Sequence, residues 1–167
     1  MTVLTANKSR PVKVPPGGLK FRKLPLAGYT NFSGGNAENI VYKGSIVVCD
    51  VTDTDGYYHA PVAIGTVLAT GTDVIGGIAM EKVSVLAANT ADGAKSVTVA
   101  VNGVWGFAIG SLDITDIGAP VYAQDDDSVT DSSTNAWWIG FVTEVDAEYI
   151  WVNIAPACGH INAVPAA

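Results

Sequence analysis

The sequence predicts an all-β protein: a single antiparallel β-barrel or sandwich, jelly-roll-like or more open, with an extended N-terminal arm. Three observations predict it. Residues 136–154 read as a hairpin, in which Ile150, Val152 and Ile154 share one face and Tyr149, Trp151 and Asn153 the other, the period-2 alternation of a half-buried strand. Upstream, short apolar runs rich in Val and Ile recur between Gly, Asp and Asn turns from residue 39 onward, as strands do. The first 37 residues hold four prolines and five glycines without a sustained apolar period.

In chain order, residues 1–37 form the arm and 38–167 the β domain. The arm has too little apolar surface to offset its ordering entropy. It is either a solvated tail or a segment that orders on a partner, and its clusters Leu19-Lys20-Phe21 and Leu24-Pro25-Leu26 favour the partner. Strands are expected at 40–42, 45–51, 57–64 (edged by Pro61), 74–83, 96–107 and 119–124. The hairpin from Trp137 then turns near Asp146-Ala147-Glu148. Asp53-Thr54-Asp55-Gly56 reads as a turn. Weak helical turns are placed near 83–89 and 111–117.

An internal repeat is visible. Lys43-Gly44-Ser45-Ile46-Val47-Val48 resembles Ile117-Gly118-Ala119-Pro120-Val121-Tyr122. Val74–Ala79 resembles Trp138–Thr143 with Gly76 over Gly140, and Val97–Asn102 resembles Tyr149–Ile154. Neither half could bury its apolar face alone, so the two should pair into one body.

Hydrophobic residues make up 49% of the chain and charged residues 15%, a sparse charged surface that suggests cover by a partner. The net charge of −7 conceals a division. Residues 1–43 carry seven cations against Glu38, net +6; the remainder carries Lys82 and Lys95 against fifteen acids, net −13. Six scattered cations among prolines make no dense patch, and the acidic remainder would repel phosphate, so no nucleic-acid partner is expected. No run approaches the ~18 apolar residues of a membrane span, and the first residues lack a secretory pattern, which favours synthesis in the cytoplasm.

Chemistry-bearing residues do not converge. His59 and His160 are far apart and no Gly-x-Ser-x-Gly elbow exists. Cys49 and Cys158 read as two isolated thiols rather than a disulfide or a metal pair. Asp125-Asp126-Asp127 reads as a solvated turn, since a calcium loop needs spaced oxygens. Asp92-Gly93-Ala94-Lys95-Ser96 lacks the glycines of a phosphate loop, and Asn31-Phe32-Ser33 is a glycosylation pattern without a secretion context. The expectation is no enzyme, no metal and no cofactor.

The alternating strand running into Asn102-Gly103-Val104-Trp105-Gly106-Phe107, then Gly118-Ala119-Pro120-Val121-Tyr122, then Ile139-Gly140 and Ile150–Ile154, resembles the capsid cement, or decoration, proteins of tailed bacteriophages over residues 38–156. The resemblance implies a non-catalytic protein, commonly a homotrimer, that binds the major capsid protein on the outer surface of the mature head and stabilises it against packed DNA. On that reading the arm residues Lys8, Arg10, Lys13, Lys20, Phe21, Arg22, Lys23 and Leu24 carry shell contact. Trp105, Trp137, Trp138 and Trp151 divide between core and subunit contact, at least two of them in the core. The alternative is a head-fibre base or glycan-binding virion module.

Overall fold

A computed structural model describes residues 4–29, 40–49, 56–60, 74–86, 91–134 and 137–158. Its strands are β1 (Val12–Lys13), β2 (Phe21–Pro25), β3 (Ile40–Val41), β4 (Ile46–Cys49), β5 (Tyr58–His59), β6 (Val74–Ala79), β7 (Val83–Ser84), β8 (Ser96–Ala100), β9 (Val104–Ala108), β10 (Pro120–Ala123), β11 (Val129–Thr130), β12 (Trp137–Val145) and β13 (Tyr149–Asn153). Among the described residues a 3-10 turn, Ile114–Asp116, precedes β10. The protein is all-β.

Two antiparallel sheets dominate. One runs β2-β8-β6-β4-β5 and the other β1-β9-β13-β12-β10-β11, with a small β3-β7 pair beside them. Between the two large sheets lies the main core: Ile46, Val48, Ile75 and Ile78 from the first, with Phe107, Trp137, Ile139, Ile150 and Val152 from the second. The central strands β4 and β6 of the first sheet are buried on both faces. Val47, Val97 and Val99 point away from the main core into a second cluster with Leu24, Leu26, Val41 and Val85. That is why β4 is a continuous apolar run instead of an alternating one. Beyond β2 the chain bends across, and a single bridge joins Leu26 to Tyr58, with the Ala27 amide donating to the Tyr58 carbonyl at 2.9 Å. The first sheet therefore curls until its two edges touch at one point, giving an open barrel.

The two large sheets repeat one plan. β2, β8, β6, β4 and β5 occupy the places of β9, β13, β12, β10 and β11, in the same order. Val47 pairs with Gly77 just before a register shift, and Val121 pairs with Gly140 just before the equivalent shift. Beyond it, Val48 faces Ile75 as Tyr122 faces Trp138. The Gly44 amide reaches the Ala79 carbonyl at 2.8 Å, and the Gly118 amide reaches the Val142 carbonyl at 2.9 Å. Gly77 and Gly140 have φ of +138° and +147°, and a Cβ on either would lie 2.3 Å or 2.0 Å from a neighbouring strand's carbonyl oxygen. Only glycine lets the bulge and that close backbone approach coexist. The sequence alignment of the halves is thus right for β4 and β10, but one residue out elsewhere. Gly77, not Gly76, matches Gly140, and Ala100, facing Ile78, matches Asn153, facing Phe141.

The arm is corrected most. Residues 4–29 are extended, but they do not stand off the body. β1 pairs with β9, and β2 pairs with β8 through five residues. β2 is the first strand of the first repeat, so a boundary at residue 37 does not divide the fold. A strand on a sheet edge needs one buried residue per turn of the pleat and backbone partners, not a sustained apolar period; in β2, Leu24 supplies the buried contact.

Other expectations resolve individually. Val83–Ser84 is a strand, not a helical turn, because it pairs with Ile40–Val41. The 111–117 turn is present as the short 3-10 helix. The C-terminal hairpin turns where expected: the Asp146 carboxylate accepts from the amides of Glu148 and Tyr149, both at 2.8 Å. Asp92-Gly93 has a structural task, since the Gly28 amide donates to the Asp92 carboxylate at 2.6 Å and the Gly93 amide to the Leu26 carbonyl at 2.9 Å. The 61–64 part of the 57–64 strand, the Asp53–Gly56 turn before Gly56, Asn31–Ser33, Asn89 and His160 lie outside the described residues.

Candidate functional site: the N-terminal segment and its basic edge

The eight arm residues separate into three groups. Arg10 is the anchor of the first. Its guanidinium lies 4.4 Å over the Phe107 ring and its side chain is wholly buried. It donates to the Gly44 carbonyl, to the Asp126 and Asp127 carbonyls (3.3 and 3.0 Å) and to the Asp127 carboxylate at 2.6 Å. Lys8 joins the same carboxylate at 2.8 Å. Arg10 is therefore unavailable to a partner, which corrects its place among the shell contacts. A planar cation with five donors can bind several acceptors at once, and removing one side of such a buried pair costs on the order of 3–5 kcal/mol.

The acidic run that reads as a solvated turn is the other half of this lock. Asp125 and Asp126 are buried and Asp127 half-buried. The Asp125 carboxylate accepts from the amides of Asp127 (2.8 Å) and Ser128 (2.6 Å). That of Asp126 accepts from the Leu4 amide at 3.0 Å and the Ser45 hydroxyl at 2.8 Å. Burial pushes the Asp126 carboxyl up to about 6, against the pull of those two hydrogen bonds. Sequence reasoning missed these residues because the only signal was a mutual one, a basic segment and a remote acidic triplet. Among the described residues no cluster of His, Cys, Asp and Glu has the makings of a metal site.

Lys13 and Leu24 form the second group. Lys13 pairs with Glu144 and lies 4.2 Å over the Trp151 ring, while Leu24 is buried in the second core. Leu24 too is corrected from shell contact to packing.

The third group remains outward. Lys20, Phe21, Arg22 and Lys23 are all exposed, Phe21 by 54%. They sit on β2, whose outer edge no described strand pairs. None of the three cations makes an ion pair with a described residue. A strand edge that no described strand pairs, with three cations outside any such ion pair and an exposed aromatic ring, offers backbone groups and positive charge to an extended acidic segment.

The tryptophans divide as well. Trp105 and Trp137 are core residues at 3% and 1% exposure. Trp151 is nearly buried, its indole donating to the Asp146 carboxylate at 2.6 Å. Trp138 is half-buried, edge-on to Phe141 with ring centres 5.4 Å apart, and donates to the Gly140 carbonyl at 2.9 Å. Trp137 is thus no subunit contact, because Trp137 fills the centre of the sandwich. Cys49 and Cys158 are not disulfide-bonded, and burial pushes the Cys158 thiol up to about 12, far from a reactive thiolate. No family model, curated protein or solved structure matches this chain.

Proposed function

We propose that the protein is a decoration, or cement, protein of a tailed-phage head. It binds the outer surface of the shell, with the major capsid protein as partner, and stabilises the assembled lattice as an oligomer, most simply a trimer. The observation that carries the proposal is the β2 edge: Lys20, Phe21, Arg22 and Lys23 face outward on a chain of net charge −7. An acidic capsid loop or exposed capsid strand would find there both backbone partners and counter-charges.

Cementing needs no chemistry, only tighter binding to the assembled lattice than to loose subunits. At about 100 times its dissociation constant, a bound protein adds roughly 2.7 kcal/mol per site. Several edges on one oligomer engage together and raise avidity by roughly 10² to 10⁴.

Co-sedimentation with mature heads stripped of decoration tests the assignment. The wild type should pellet with heads, and the triple variant Lys20→Glu, Arg22→Glu, Lys23→Glu should stay in the supernatant while keeping its thermal unfolding midpoint. Equal pelleting of the two, or no pelleting of the wild type, overturns it. Deleting residues 2–37, by contrast, would remove two strands and unfold the body.

A further inference from the structure

Two surface features are left over by the fold and by the β2 edge. One is the 3-10 turn between β9 and β10. Ile114 is 68% exposed and Ile117 51%. The turn is braced at both ends: the Thr115 amide donates to the Asp113 carboxylate, and the Asp113 amide donates to that of Asp116, both at 2.7 Å. Neither carboxylate meets a cation among the described residues. The result is a stiff apolar knob with an anion on each side.

The other is a cleft of about 200 Å³ where the N-terminal segment crosses the first sheet. Val12, Ala79, Met80 and Trp105 give it an apolar lining, and Lys8 and Lys43 bring positive charge. Lys43 is exposed and has no ion-pair partner among the described residues, and Lys8 must share Asp127 with Arg10. The volume lies below the roughly 300 Å³ at which small-molecule pockets begin, and suits one aliphatic side chain.

We propose that the Ile114 knob of one copy seats in this cleft of a second copy, with Asp113 and Asp116 beside Lys43 and Lys8. The cleft has room for one aliphatic side chain and the flanking charges are opposite, and the capping bonds hold the knob ready, so little ordering entropy opposes the contact. Knob and cleft are different parts of the chain, so the contact is head-to-tail. It closes into a ring if the rotation allows and grows as a filament if not. Trp105, in the lining of the cleft, is then the tryptophan nearest the interface. None of this uses the β2 edge, so the contact stands or falls separately from head binding.

Sedimentation velocity of the full chain, from micromolar to sub-millimolar concentration, reads it. The wild type should self-associate reversibly and less so as salt is added. Ile114→Asp and Lys43→Glu, both at exposed positions, should each weaken association about tenfold or more, equivalent to ~1.4 kcal/mol. A second variant, Ile114→Cys with Met80→Cys, should cross-link copies on mild oxidation. A wild type that stays monomeric throughout, or variants that associate like the wild type, overturns the proposal. Association without head binding would leave this contact in place and remove the decoration role; a monomer that coats heads would remove this contact and the oligomer while keeping head binding.

Discussion

Asp126 is a carboxylate held where its charge is disfavoured. Asp125 and Asp127 flank it, Arg10 and Lys8 lie on the other side of Asp127, and its own hydrogen bonds come from Leu4 and Ser45. Its native pKa of about 6 stands above the ordinary 3.8, so the folded protein binds the proton more tightly than the unfolded chain. The wild type should therefore gain stability relative to Asp126→Asn as pH falls from about 6 to about 4, by roughly 2–3 kcal/mol. Urea unfolding of both proteins across that range checks it. Parallel pH profiles would show that the carboxyl is not perturbed. At this scale the sequence was poorly legible: Arg10 looks like any arm cation, and only the folded chain brings Asp125–Asp127 to it across more than a hundred positions.

At the scale of elements, the bulge shared by β4/β6 and β10/β12 fixes the register of each repeat. Gly77→Ala and Gly140→Ala should each cost roughly 3 kcal/mol or more, since positive φ and a clash with backbone combine. Gly17→Ala, at φ +92° but with nothing within 4 Å, should cost only the conformational part, about 1 kcal/mol. Denaturation midpoints of the three variants separate these effects, and equal losses would contradict the account. The strands of this repeat were legible where both faces are apolar or alternate strictly, as in Ile46–Cys49 and Ile150–Ile154. β2 was not. Its partner in the other repeat is Val104–Ala108, and Phe-Arg-Lys-Leu-Pro shares no pattern with Val-Trp-Gly-Phe-Ala. The one-residue slip in the repeat arose because two adjacent glycines, Gly76 and Gly77, fit the pattern equally until the backbone shows which has positive φ.

For the whole molecule, the split between a basic first quarter and an acidic remainder has two origins. Lys8, Arg10 and Lys13 are met inside the protein by Asp127 and Glu144, so that half of the charge division is a fastening of the N-terminal segment to the body. Lys20, Arg22 and Lys23 make no ion pair with a described residue, Lys23 acting on Glu81 only at longer range, and on our proposal their charge serves a partner. The same composition thus served the fold and, on our proposal, the shell. The sequence alone could not apportion it, because scattered cations look alike until their neighbours are known.

The central claim is that the β2 edge is the face turned to the shell, and a cryo-electron microscopy reconstruction of mature heads incubated with the protein tests it most directly. The account predicts β-sandwich density on the outer surface with the Lys20–Lys23 edge against the capsid protein. Bare heads, or bodies attached through another face with β2 in solvent, would contradict it.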